Sequence, residues 1–241
     1  MRAQARDDAP TDRGENPAAA SAEAGMFLPT TIAPRTDSQR GFLVAFGGYD
    51  SAKDSAQSEA LLDVSIISWL AVRVGVLYAQ TPDQFRPTMG LRAQALKQEN
   101  AGIDLGFGAY YRPEGFTEAE GEIEVNVALG RKFGRFSTFA NIVYGQEPEA
   151  EERDGELRLA ALYSVSTAVQ AGLDARLRVD LGEEEEKEKR EGHGEFDLIV
   201  GPTASIAMGP MAAIMQAGLS VVGTEPAKTG AVVLLGVAGA I

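Results

Sequence analysis

Between residues 169 and 181 the chain reads VQAGLDARLRVDL, with an apolar side chain at every odd position. Gln170, Asp174, Arg176, Arg178 and Asp180 fall between them, and Gly172 completes the even set. On a helix, residues two apart lie about 200° apart around the axis, so the apolar set would encircle the cylinder and leave no stripe to bury. On a strand the odd and even residues form two opposite faces. The period is that of a strand. At thirteen residues it is long against the roughly five or six of an ordinary globular strand.

The same pattern repeats along the chain from Arg40 onward. It predicts strands over 41–49, 58–67, 70–80, 88–97, 102–112, 120–132, 136–146, 155–164, 169–181, 195–208, 210–222 and 229–241. In EGEIEVNVALG, Ile123, Val125, Val127 and Leu129 alternate with Glu122, Glu124, Asn126 and Ala128. Arg73 interrupts Val72 and Val74 in the same way, and Asp104 separates Ile103 from Leu105. The last two strands are apolar or small on both faces, and in the first, Phe42, Val44 and Phe46 run out of step with Tyr49.

The links fall into two sets. After even-numbered strands they are short: Ser68-Trp69, the turn FGR, Val165-Ser166 and Gly209-Pro210, with QENAG somewhat longer. After odd-numbered strands they are longer and polar: 50–57, 81–87, 113–119, 147–154 and 182–194. In a meander the two sets lie at opposite ends of the sheet. One end is tight and the other is loopy.

Alternation alone does not say which face meets water. A soluble sandwich or lipocalin-like barrel buries the apolar face, whereas a membrane barrel turns it to lipid and lines its lumen with the polar one. Strand length, with about nine to eleven residues needed to cross a bilayer, fits the membrane arrangement. Loop asymmetry fits it too. Aromatic residues gather at the strand ends: Tyr49, Tyr78, Tyr111 and Tyr144 before long links, Trp69, Phe133 and Phe136 at short turns. Two such bands suit the two bilayer interfaces, with Trp69, Tyr78, Tyr111, Phe136 and Tyr144 as the interfacial set. The polar face carries Arg73, Arg92, Asp104, Glu122, Glu124, Asn126, Arg158, Gln170, Asp174, Arg176, Arg178 and Asp180. Mixed in sign, these are expected to line a lumen and pair their charges across it.

Composition narrows the function classes. Of 241 residues, 44% are hydrophobic and 24% charged, which is not a disordered composition. No apolar run reaches the roughly eighteen residues of a membrane helix. A net charge of −13 without a basic patch argues against nucleic acid as a partner. Cysteine is absent, which removes disulfides and thiolate chemistry. Residues 1–39, rich in Ala, Pro and charge, read as a disordered arm before a barrel domain over 40–241. The arm lacks the apolar core of a signal peptide, so export requires a segment upstream of Met1 or a start already trimmed.

Candidate chemistry adds little. The single histidine, His193, lies in the glycine-flanked, charged stretch EKREGHGEF and reads as a solvated loop residue. The acidic run GEEEEKEKREGHGE lacks the spaced order of a calcium loop and is interrupted by Lys187, Lys189 and Arg190. Neither a metal nor a cofactor is expected. Glu122 and Glu124 with Asp174 give no readable separation for a hydrolytic carboxylate pair. GFGAYY has no following helix to make a phosphate loop.

Segments such as DVSIISWLAVRVGVLY and LRLAALYSVSTAVQAGLDARLRVDL, strand–tight turn–strand with alternating faces, resemble those of bacterial outer-membrane β-barrel proteins. The resemblance is architectural and covers residues 40–241. It implies an all-β, up-and-down antiparallel transmembrane barrel of about twelve strands in the bacterial outer membrane, in contact with membrane lipid. It also implies insertion by the barrel-assembly machinery, which reads a C-terminal strand that commonly ends in an aromatic residue; this chain ends in Ile241. The expected function is non-catalytic, a structural barrel or a narrow porin-like channel for a small solute. A soluble barrel or sandwich binding an apolar ligand or a protein partner, and a lipid-modifying outer-membrane enzyme, are the alternatives.

Overall fold

A computed structural model describes residues 41–80, 83–113, 121–147, 153–182, 196–224 and 226–240. The arm read as disordered (1–39), the acidic run with His193, and Ile241 lie outside the described residues. Twelve strands follow one another: β1 (Gly41–Asp50), β2 (Ser55–Ile67), β3 (Leu70–Ala79), β4 (Gln84–Leu96), β5 (Asp104–Pro113) and β6 (Gly121–Phe133). Then come β7 (Phe136–Gln146), β8 (Arg153–Ser164), β9 (Val169–Asp180), β10 (Phe196–Met208), β11 (Met211–Val222) and β12 (Lys228–Ala240). Each pairs antiparallel with its sequence neighbours, and β1 pairs with β12, from Phe42 opposite Ala240 to Asp50 opposite Val232. That last pairing closes the barrel and leaves no free edge, which is what a sheet needs where no water can satisfy its backbone.

The short links form the tight end. Gly134 (φ 62°) turns β6 into β7 and Gly209 (φ 67°) turns β10 into β11, left-handed conformations that glycine adopts without Cβ strain. QENAG forms a single helical turn, α1 (Gln98–Ala101), stopped by Gly102 at φ 77°. Gln98 ties this turn to the neighbouring strand end, its side-chain nitrogen donating to the Lys132 carbonyl at 2.5 Å while its oxygen accepts from the Lys132 N–H at 2.7 Å.

At the loop end the strands run further than the hydropathy pattern predicts. β2 begins at Ser55 rather than residue 58, and β4 at Gln84 rather than residue 88. The cause is backbone pairing: Ser55 lies opposite Asp50, and Gln84 opposite Ala79. A ladder bond does not depend on side-chain polarity, so the barrel continues past the last apolar residue.

Along β6, Glu124, Asn126, Ala128 and Gly130 are buried while Val125, Val127 and Leu129 are exposed. The apolar face points outward, and the same holds around the barrel: Ile66, Ile142, Leu173, Leu219 and Leu235 are all 57–62% exposed. A continuous apolar outer face of this extent has no place in water. It corrects the soluble-barrel alternative, in which the apolar face is the buried one.

β1 breaks this rule. Phe42 and Val44 are buried and Tyr49 is 46% exposed, so here the larger apolar residues point inward and Tyr49 joins the outer aromatics. The conflict of phase visible in the sequence resolves in favour of Tyr49.

Candidate functional site

The interior has two halves. At the turn end it is filled by Phe42 and Val44 of β1, Phe139 of β7, Ala160 and Leu162 of β8, Ala212 and Ile214 of β11, and Ala238 of β12, none more than 8% exposed. These side chains come from opposite walls and meet across the axis. Phe46 and Leu61 pack against the cluster and also line the space beyond it. The cluster is therefore the floor of a vestibule of about 490 Å³ in the loop-end half.

The vestibule is lined by Lys53, Arg73, Arg86, Arg112, Arg158, Arg176 and Arg178, and by Asp50, Glu59, Glu122, Glu124, Asp154 and Glu156. Seven cations thus face six carboxylates, close to balance. Most are paired. Arg176 and Lys53 both reach Asp197 at 2.5 Å, Arg158 meets Glu156, and Arg178 meets Asp154. Arg112 lies 3.6 Å from Glu59 and 3.7 Å from Glu124, and donates to the Thr88 hydroxyl at 3.2 Å. Several pairs join strands that are not neighbours in the sheet: Arg112 on β5 reaches Glu59 on β2, and Ser220 on β11 donates to Asp50 on β1 at 2.7 Å. Such links brace the barrel across its lumen.

A second group lies deeper. The Arg73 guanidinium donates to both oxygens of Asp63, at 2.6 and 2.8 Å, and Arg92 donates to the same carboxylate. All three side chains are at most 8% exposed. The Arg73 guanidinium also lies 5.3 Å from the centre of the Tyr110 ring. That ring lies against the wall over Gly90 and Gly108. A methyl group at Gly108 would sit 2.3 Å from the Tyr110 hydroxyl oxygen, and one at Gly90 would sit 2.6 Å from a ring carbon. Glycine is required here for room. Gly108→Ala is expected to lower stability by about 1–3 kcal/mol through overpacking, read as a lower urea midpoint of the detergent-folded barrel, with Ala109→Gly on the outer face as the comparison.

The residues predicted to line a lumen fall in several places. Arg73, Glu122, Glu124, Arg158, Arg176 and Arg178 line the vestibule, Arg178 half-exposed. Arg92 belongs to the Asp63 group. Asn126 is buried and donates to the Tyr110 hydroxyl at 3.3 Å. Gln170 and Asp174 are buried towards the turn end, with Gln170 donating to Ser164 at 3.3 Å. Asp104 is also buried there, and its carboxylate accepts from the Gln98 N–H at 2.9 Å, fixing α1. Asp180 stands at the loop-end limit of β9 and accepts from the Gly182 N–H at 2.8 Å.

Sequence reasoning missed Asp63, Glu59, Arg112, Asp154, Glu156, Asp197 and Arg86. Asp63 had a signal, as an acid in the polar phase of ALLDVSII. Its partner was hidden by a register shift between Ser65 and Ile67, which places Asp63 opposite Arg73. Continued from the Ile67–Leu70 pair without that bulge, Asp63 would oppose Val74, on the wrong face.

On the outside, Trp69, Phe133 and Phe136 are half-exposed at the turn end, with the Phe136 ring stacked near Phe133 (5.9 Å) and tilted against Tyr163 (5.0 Å). Tyr49 and Tyr144 are exposed and Tyr78 and Tyr111 half-buried near the loop end. Tyr78 lies 4.8 Å from Phe85.

No protein-family model matches this chain, and no curated protein does either. Solved structures do. A NanC porin aligns at TM-score 0.61 and 8% identity, covering 83% of this chain and 100% of that one. A KdgM porin in complex with disordered oligogalacturonate aligns at TM-score 0.55 and 9% identity, over 83% and 99%. A further KdgM porin structure aligns at 0.54 with 9% identity and the same coverage. At such identities the likeness is one of architecture: a closed, twelve-stranded, antiparallel barrel with an apolar exterior, the fold of bacterial outer-membrane porin barrels.

Proposed function

We propose that this chain is a non-catalytic barrel of the bacterial outer membrane, with a narrow, porin-like lumen of mixed charge that is held shut at the turn end. The observation that carries this reading is the inversion of faces: apolar side chains outside, ion-paired arginines and carboxylates inside. Lipid is the partner that the outer face fits. By the usual placement of short turns, the turn end is periplasmic and the vestibule faces outward. Insertion by the barrel-assembly machinery follows from that location.

The polar groups of the vestibule are mostly bound to one another, which supports a passage or a receptor over a reaction centre. A ready nucleophile needs a base held beside it, whereas here arginines hold carboxylates. The near-balance of charge favours small solutes. A polyanion such as the oligogalacturonate named with the KdgM porin calls for a large excess of cations, and here seven cations face six carboxylates.

The chain is expected to require detergent and to migrate differently on mild electrophoresis with and without boiling, because a closed barrel resists the detergent until heated. Reconstituted in planar bilayers, it is expected to show little steady current at rest. A monodisperse chain in detergent-free buffer would overturn the membrane reading, and a large, permanently open conductance would overturn the closed floor. Release of fatty acid from lipid A or phospholipid by the folded barrel would overturn the non-catalytic reading.

A further inference from the structure

Four apolar side chains line the vestibule among its charges, and one arginine beside them has no partner among the described residues. Leu234 of β12, Phe46 of β1, Leu61 of β2 and Leu77 of β3 line it from four strands that are consecutive around the barrel. Glu59 of β2 stands opposite both Phe46 and Leu77, and Leu77 lies opposite Arg86 of β4, the next strand. Lys53 and the arginines 73, 112, 158, 176 and 178 each have a carboxylate partner. Arg86 has none among the described residues. Its Nε and one terminal nitrogen are shielded from solvent and donate to no acceptor. The residue is half-buried, and shielded donors of this kind without an acceptor in a native structure call for an explanation.

We propose that the vestibule binds a small amphipathic carboxylate, with Arg86 as the counter-charge for its head and the Leu77, Leu61, Phe46 and Leu234 side chains as contacts for its apolar body, while Glu59 between them stays with Arg112. This rests on the reading of the chain as a barrel with an accessible vestibule, and names the class of solute that vestibule takes. The guanidinium fork matches a carboxylate with two parallel hydrogen bonds. A singly charged head fits better than a dianion, because Asp50, Glu59, Glu122, Glu124, Asp154 and Glu156 line the same space. About 490 Å³ suits a one-ring or short-chain acid, within the roughly 300–1,000 Å³ of small-molecule sites. A purely polar solute would leave these four apolar side chains unused.

The test uses the full chain folded in detergent, with fluorine NMR of 4-(trifluoromethyl)phenylacetate, its neutral amide, and trifluoroacetate, each corrected for empty micelles. The arylacetate is expected to bind about tenfold more tightly than the amide, the worth of charge-assisted hydrogen bonds, and trifluoroacetate to bind more weakly than either. Arg86→Gln is expected to bring the arylacetate down to the level of the amide, and Arg86→Lys to keep part of the difference. Leu77→Asn is expected to weaken both aryl probes together. Since Arg86 holds no partner among the described residues, Arg86→Gln is also expected not to lower the urea midpoint. Equal binding of acid and amide, or a preference that survives Arg86→Gln, overturns the site while heat-dependent migration leaves the barrel reading standing. Loss of that migration in the unaltered chain overturns both.

Discussion

Asp63→Asn is expected to destabilise the barrel by about 3–5 kcal/mol, the cost of removing one partner from a buried ion group. The carboxylate holds Arg73 through two hydrogen bonds and Arg92 through a third. Neutralising it leaves two guanidiniums, each about 5% exposed or less, facing each other with no anion between them. The loss then combines desolvation with like-charge repulsion. It is read as the shift in urea midpoint of the detergent- or vesicle-folded barrel, converted with the unaltered slope. Replacing the group together (Asp63→Leu, Arg73→Leu, Arg92→Met) is expected to cost far less, because no unpaired charge remains. If Asp63→Asn and the triple replacement fall equally, the group acts through packing and not through charge. The position matters as much as the pairing: with Tyr110 flat on Gly90 and Gly108 and Arg73 beside the ring, the group stiffens the wall between β2 and β5.

The second large effect is functional. Phe139→Ser combined with Leu162→Ser is expected to convert a nearly silent barrel into one with resolved, steady current steps in planar bilayers. Both side chains are at most 4% exposed within the turn-end floor. An apolar constriction excludes water even where its walls leave space, and ions do not cross a dewetted segment. Hydroxyls in place of a ring and a branched chain remove volume and let water through. In a sealed core the truncations would cost about 3–5 kcal/mol for Phe and 2–5 for Leu, so retained heat-dependent migration must accompany the measurement. A barrel that keeps this migration and stays silent would show that the floor is not the barrier. Substituting Ile142 and Leu157, which face lipid, with alanine is expected to leave the current unchanged.

The alternation of Ile123, Val125, Val127 and Leu129 with Glu122, Glu124 and Asn126 was enough to identify β6 and its two faces, because a strand's side-chain period is two and nothing else reproduces it. The turns were equally legible. A short link between two long strands leaves only an antiparallel pairing, and Gly134 and Gly209 mark where the backbone must turn left-handed. Even the direction of the faces followed from loop lengths and aromatic ends, which are one-dimensional signals.

Much of the vestibule was not legible. Arg112 and Glu59 are 53 positions apart in the sequence (112 − 59) and meet only because the sheet curves back on itself. Lys53 reaches Asp197 for the same reason. The floor was hidden more deeply. Strands that are apolar on both faces, such as β11 and β12, look like poor membrane strands in sequence; their inward Ala212, Ile214 and Ala238 are three of the eight residues of the plug.

The sequence by itself determined the strands, their order, the tight and loopy ends and the polarity of each face, since these depend on local period and chain connectivity. Only the tertiary structure decided the β1–β12 closure, the bulge that sets Asp63 against Arg73, the apolar floor and the unpaired Arg86. The physical reason is that closure brings together side chains from opposite walls, and no pattern along one strand records what stands across the lumen from it.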